Sequence, residues 1–422
     1  MKEIALGLFI LTYVLLLIFP KIRSFIALGS AALFVILGIL PAGDVLGAID
    51  WNVILMIAGT MGIVSLFIDS KMPALMADVL IDKMPDVKWA TIALAIFAGV
   101  ISAFVDNVAT VLMVAPVALN IAKKLNISPI PSIICIAISS NLQGAATLVG
   151  DTTSVLLGGF ANMDFMDFIF FYGRPGIFFA VQAGMLASIL VLLYIFRKDS
   201  TPIHLEEKET VEDFFPSVLL LGMILLLIAA SFIPNKPNIT NGLICTGLFA
   251  IGLVRDFTKN KDHTVLRNRI LEIDFFTILL LIGLFVVIGG IVEAGIVADI
   301  SNIFLHIAGD NVFLIFTIIV WASVLFSAFI DNIPYTATML PVVAAISQAM
   351  GIEPYLLFFG LLCGATLGGN ITPIGASANI TGLGILRKNG YEVGAWEFMK
   401  YGIPFTLAAV TAGYLFIWFV WR

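Results

Sequence analysis

Ser327–Thr338 reads SAFIDNIPYTAT, and its opening is written twice in the chain: Ser102–Asn107 is SAFVDN and Ser327–Asn332 is SAFIDN. The same spacing of 225 positions brings Pro116 onto Pro341 and Val117 onto Val342, and seven of the sixteen residues in 102–117 recur in 327–342. Each copy sets an Asp-Asn pair in the middle of a long apolar run, where a carboxylate is costly unless something pairs with it or uses it. Fold and function are therefore read outward from Asp106 and Asp331.

Of the 422 residues, 60% are hydrophobic and 12% charged, about half the charged share of a soluble domain. Apolar runs of roughly 16–21 residues follow one another, long enough for helices and too long for barrel strands. The chain is an all-α polytopic membrane protein. Its net charge of −6 and the lack of a basic tail exclude nucleic acid as a partner; the partners expected are membrane lipids and a small inorganic ion. Cys135, Cys245 and Cys363 stand far apart and imply neither a disulfide framework nor a zinc site. His204, His263 and His306 form no ligand cluster, and no cofactor is expected. Residues 1–20 lack a strong basic start and a cleavage signature, so they are read as a retained first helix.

The runs predict spans at 4–20, 24–41, 51–68, 89–122, 130–163 and 176–196, a polar link, and then 214–233, 239–254, 273–292, 312–350, 355–386 and 403–421. Six elements are followed by six of the same kinds. The chain divides into repeats at 1–198 and 214–422 joined by a cytoplasmic linker, 199–213, that carries Glu206, Glu207, Glu209, Glu212 and Asp213. A straight helix over 89–122 would reach about 50 Å against a hydrocarbon core of about 30 Å. Asp106 and Asp331 fall at the midpoints of the two longest runs, which fits re-entrant hairpins with Asp-Asn at the tip; the plainer alternative is two short crossing helices joined by a surface turn. With non-crossing hairpins, Lys2, Arg174, Lys236 and Arg422 lie on one side and the other 18 of the 22 Lys and Arg residues on the second, which makes the second side cytoplasmic. About ten full crossings follow, with both termini outside and the two hairpins entering from opposite faces as inverted repeats.

A second matched pair follows each hairpin. Thr147–Thr153, TLVGDTT, aligns with Thr366–Thr372, TLGGNIT, at a spacing of 219 that sets Asp151 opposite Asn370. Glycines beside Thr, Asp and Asn inside an apolar run predict broken helices, with second halves beginning near Thr152 and near Pro373, a residue suited to a first helical turn. A kinked but continuous helix packed through small residues is the alternative. The breaks bring Asp106, Asn107, Thr110, Asp151, Thr152, Thr153, Asp331, Asn332, Thr336, Asn370 and Thr372 toward one volume. This oxygen-rich set suits a hard cation. Asp106, Asn107, Asp331 and Asn332 are its expected metal ligands, and Asp106, Asp151 and Asp331 are the candidates for trading a proton against it. Asp151 alone is equally read as a cap on the helix break. No Lys or Arg stands inside a clear span, which favours cation or proton chemistry over an anion bound alone.

SAFVDNVATVLMVAP, SAFIDNIPYTATMLP and GGNITPIGASANI resemble the ArsB/NhaD branch of the ion-transporter superfamily, the sodium/proton antiporters, arsenite permeases and P protein-like transporters related to dicarboxylate/sodium symporters. That resemblance implies a homodimer, a scaffold of early helices and an elevator-like movement of the hairpins and broken helices. The Asp-Asn order in both copies and Gly150-Asp151-Thr152-Thr153 at the first break lie on the antiporter side of it. The expected function is sodium/proton antiport in the inner (plasma) membrane. Its alternative is sodium- or proton-coupled transport of a carboxylate, arsenite or another oxyanion, and an intramembrane aspartyl enzyme or an ion channel is more remote.

Overall fold

A computed structural model describes every residue except 199, 203–209, 212, 262 and 310. Glu206, Glu207, Glu209, Glu212 and His204 therefore lie outside the described residues. The first half contains α1 (Lys2–Ile18), α2 (Arg23–Ile36), α3 (Val45–Ala48), α4 (Trp51–Asp69), α5 (Met72–Ile81), α6 (Val87–Ser102), α7 (Asn107–Leu125), α8 (Ile130–Gly144), α9 (Thr152–Phe160) and α10 (Ile177–Ile195). The second contains α11 (Phe215–Ala230), α12 (Thr240–Asn260), α13 (His263–Leu271), α14 (Phe275–Glu293), α15 (Ile296–Ala308), α16 (Val312–Ser327), α17 (Asn332–Met350), α18 (Tyr355–Gly368), α19 (Ser377–Lys388) and α20 (Ala395–Trp421). The only described strands, Phe170–Phe171 and Arg174–Pro175, form a small hairpin before α10.

The halves share their punctuation as well as their order. Asp50 and Asp274 cap α4 and α14 by accepting from the N–H three residues on, Val53 at 3.0 Å and Thr277 at 3.1 Å. Asp86 and Asn311 do the same for α6 and α16. α7 and α17 both end on a left-handed residue, Asn126 and Gly351. Packing is exchanged between halves: α4 lies on α12 and α14 on α2. Gly59 meets the backbone of Cys245–Thr246 just as Gly283 meets that of Ala27–Leu28.

The centre is formed by α8 and α18, buried almost throughout from Ile133 to Gly144 and from Leu356 to Gly368. Both arms of the first helix-break-helix unit, α6 and α7, pack on α8, and α16 and α17 pack on α18. Free Cys135, Cys245 and Cys363 are buried in α8, α12 and α18. Large apolar side chains such as Leu190, Phe232 and Ile36 are exposed on the outside, as a lipid-facing surface requires.

Among the described residues, α4, α7, α10, α14, α17 and α20 are long and apolar enough to cross a membrane, and the count rises to eight if two bent helix pairs are each one span. The ten crossings read from the apolar runs exceed this because breaks cut those runs short. The runs at 4–20 and 24–41 become α1 and α2, bent by 110°, and the run at 130–163 is cut to the 15 residues of α8, which reach only about 23 Å. One further expectation is corrected: Pro373 lies in the turn before α19, whose first residue is Ser377. The Thr372 hydroxyl bonds Ala328 O and accepts from Ile374 N–H, and Thr372 O accepts from Asn379 Nδ2, so these side-chain bonds hold the turn open before the helix restarts.

Candidate functional site

Three of the aspartate-capped helices, α7, α9 and α17, start at the breaks read from the sequence. Asp106 caps α7 with Oδ2, which accepts from the N–H groups of Val108 at 3.0 Å and Ala109 at 3.2 Å. Asp331 caps α17 with Oδ1, which accepts from Ile333 N–H at 3.2 Å. Asp151 caps α9, taking Thr152 N–H on Oδ1 and the Thr153 hydroxyl on Oδ2, each at 2.8 Å. Asp is a favoured N-cap, and the partial positive charge of a helix start steadies a carboxylate there. In each case the sequence breaks the apolar run so that a carboxylate and a helix start coincide.

The three starts face one cavity of about 290 Å³. Asp106, Asn107, Asp151, Thr152, Asp331 and Asn332 line it, as the sequence predicts. The other expected residues stand behind its wall. Thr153 bonds Asp151 and Thr366, and Thr372 bonds the carbonyl of Ala328. Asn370 donates to Ile138 O at 3.0 Å. Thr110 and Thr336 are fully buried, and their hydroxyls meet no described partner.

The charge balance of the cavity corrects a sequence reading. Arg23, at the start of α2, lines the cavity and pairs with Asp331, so a fixed cation is present where none was expected. Glu272 and Asp274 also line it, bringing the carboxylates to five against one guanidinium. Asp331 is thereby committed to Arg23 and to the hydroxyl of Ser377 at 3.2 Å, while Asp106, Asn107, Asp331 and Asn332 all line the cavity. Among the described residues no three His, Cys, Asp or Glu side chains gather as a metal cluster. Asp106 Oδ1 accepts no hydrogen bond from a described residue and is the carboxylate oxygen left open to the cavity.

The register of the second matched pair also differs from the expected 219. Thr147 bonds Ala103 O and Thr372 bonds Ala328 O. Gly150 sits against the carbonyls of Gly144, Ser102 and Ala103, and Gly375 against those of Gly369, Ser327 and Ala328. Each partner is 225 positions on, the spacing of Asp106 and Asp331. Asp151 therefore corresponds to Ala376, the residue preceding α19, and not to Asn370. The first half alone carries this third aspartate.

Behind the cavity, Asn141 of α8 joins both tips. Its Oδ1 accepts from Asn107 Nδ2 at 2.9 Å and Asn332 Nδ2 at 3.2 Å, and its Nδ2 donates to Thr366 O at 2.7 Å and Asn370 Oδ1 at 3.0 Å. Nothing in the matched motifs marks Asn141, whose counterpart 225 residues on is Thr366; the only signal is a fully polar amide inside an apolar run. Asn141→Ala orphans two buried amide donors, so it is expected to cost about 2–5 kcal/mol. A detergent melting temperature equal to the parent's would show that this amide does not hold the tips.

Residues 13–364 match the family described as citrate transporter, CitMHS. The chain belongs to that family. An uncharacterized transporter of Mycobacterium tuberculosis is 30% identical over 439 residues, covering 99% of this chain and 98% of its own. The human P protein is 27% identical over 409 residues, 78% of this chain and 48% of that protein, in line with the resemblance carried by the Asp-Asn motifs. Among solved structures, the YdaH transporter of Alcanivorax borkumensis superposes with a TM-score of 0.63 at 14% identity, covering 89% of this chain and 86% of its own. MtrF of Neisseria gonorrhoeae superposes at 0.57 with 16% identity, covering 88% and 81%. This CitMHS chain is a multi-pass membrane transporter with the fold of those proteins, and the intramembrane enzyme reading falls away.

Proposed function

We propose that the chain is a secondary transporter of the plasma membrane that exchanges a cation, most directly sodium, for protons. The observation that carries this reading is the cavity itself: four helix-capping aspartates and Glu272, the last also paired with Arg269, around one lining guanidinium, with Asp106 Oδ1 open to the cavity. A net excess of carboxylate attracts cations and protons to the same oxygens. Two ions that compete for one carboxylate are coupled by that competition, since only differential affinity between the two loaded states can drive exchange. Inverted hairpins entering from opposite faces, both termini outside, an elevator-like movement and a homodimer belong to the same reading.

A specific observation favours a second reading. Arg23 in the cavity offers the planar donor fork that suits a carboxylate, and the family is described as citrate transporters. Cation- or proton-coupled movement of a carboxylate would use Arg23 for the anion and Asp106 for the coupling ion.

Purified protein in sealed proteoliposomes, with a pH-sensitive dye inside and the membrane potential clamped, separates the two. Sodium, lithium, potassium, arsenite and citrate are added outside in turn. Proton release driven by sodium or lithium alone is the expected result. Proton movement that requires citrate would replace antiport by coupled carboxylate transport, and proton movement driven by potassium as well as by sodium would remove cation selectivity from the reading.

A further inference from the structure

Asp106 and Asp331 carry the same motif, cap the same position of equivalent helices and face one cavity, yet their surroundings differ in one respect. Asp331 Oδ2 meets the guanidinium of Arg23 and the Ser377 hydroxyl. Among the described residues no Lys or Arg pairs with Asp106 or Asp151. The Gly59–Cys245 and Gly283–Ala27 contacts set Asn241 of α12 where Arg23 stands in α2, and Asn241 bonds Asp164 instead, at 3.1 Å. The cation is thus present in one half only.

We propose that Arg23 is a tethered cation that holds the second half's share of the site. The exchanged ion is then carried by Asp106 and Asp151, and Asp331 serves to seat the guanidinium. This rests on the antiport reading above and narrows it from three carboxylates to two.

Four observations support it. The pair is largely withdrawn from water, Arg23 at 18% and Asp331 at 15% exposure, so it is not a screened surface contact. Arg23 is fixed by α2, which packs along α14, and a tethered group competes with a free ion at a very high effective concentration. The same bent N-terminal unit grips the start of α17 a second time, where Tyr13 donates to Pro334 O at 2.7 Å and meets the Thr338 hydroxyl. The third aspartate, Asp151, lines the cavity with Asp106, to which no described Lys or Arg is paired, and its counterpart in the second half is Ala376. Of the three aspartates in the matched breaks, Asp106 and Asp151 have no cationic partner and Asp331 is neutralised by Arg23.

The test compares the parent with Arg23→Gln, Asp331→Asn and the double variant Arg23→Gln/Asp331→Asn in the proteoliposome assay, reading exchange rate and the proton-to-cation ratio from the reversal potential. Asp331→Asn frees a guanidinium beside Asp106 and is expected to weaken cation binding by at least about tenfold. Arg23→Gln exposes a third carboxylate and is expected to raise the number of protons or cations moved per cycle. The double variant removes both charges together and is expected to regain at least about tenfold in apparent cation affinity over Asp331→Asn. Monodisperse double variant that is as inactive as Asp331→Asn would overturn the proposal, because Asp331 would then hold the ion itself. Parent protein that moves protons with neither sodium nor lithium would overturn the antiport reading and this inference with it.

Discussion

Asp106→Asn is expected to end cation-driven proton movement while leaving the protein folded. The Asn side-chain oxygen can still accept from Val108 and Ala109 N–H, and Asn is as good a helix cap as Asp. What disappears is the charge, and with it a charge-assisted contact of about 1.5–3 kcal/mol to the bound ion, which is roughly a 10- to 150-fold loss of apparent affinity. Proton exchange at that position is removed altogether, so turnover falls further than affinity does. Asp151→Asn should behave alike. In the parent, raising the proton concentration on the sodium side should raise the apparent KM for sodium without lowering the maximal rate, since both ions seek the same oxygens. An Asp106→Asn protein that still exchanges at the parent's rate, or parent protein whose sodium KM ignores pH, would remove the shared carboxylate from the mechanism.

The second large effect falls on folding. A methyl group added at Gly375 would lie 2.5 Å from Gly369 O, 2.7 Å from Ser327 O and 2.9 Å from Ala328 O; one at Gly150 would lie 2.7 Å from Gly144 O, 2.8 Å from Ser102 O and 2.9 Å from Ala103 O. Every obstacle is backbone, and these are the carbonyls that fix the helix starts around the cavity. Gly375→Ala and Gly150→Ala are each expected to cost about 3 kcal/mol or more, seen as a melting temperature many degrees below the parent's or as loss of monodisperse protein. Gly384, in α19 with open space around it, supplies the control: Gly384→Ala should gain about 0.5–1 kcal/mol from helix propensity. Equal melting of all three variants would mean that the breaks are loosely packed.

How far the chain could be read without coordinates depended on the length of the signal. Asp106 and Asp331 are legible because each interrupts an apolar run with a carboxylate inside a repeated motif, and both helix restarts, at Asn107 and Asn332, follow directly. The break at 145–151 is legible for the same reason. Its partner at 369–376 is mismatched because the Thr-Leu-x-Gly letters repeat at 219 while the backbone repeats at 225; local identity outweighed the contacts of Gly150 and Gly375, which only the fold displays. Arg23 looks like an ordinary loop charge between two apolar runs, and the bend that turns it onto Asp331 leaves no mark in composition. Glu272 and Asp274, at the start of the span read at 273–292, belong to no repeated motif that would mark them as cavity residues. Asn141 is silent because a lone amide carries no charge to betray it, although four buried groups depend on it.

The burial of Cys135, Cys245 and Cys363 has a practical consequence for watching the protein work. Their exposures are 0%, 0% and 1%, so water-soluble maleimides should pass them by, and the native chain is already close to a blank background for thiol labelling. A single reporter cysteine placed at the rim of the cavity, for instance Ser65→Cys, can then be followed by fluorescence or spin resonance during sodium and pH jumps, with no need to strip three residues from the most tightly packed helices first.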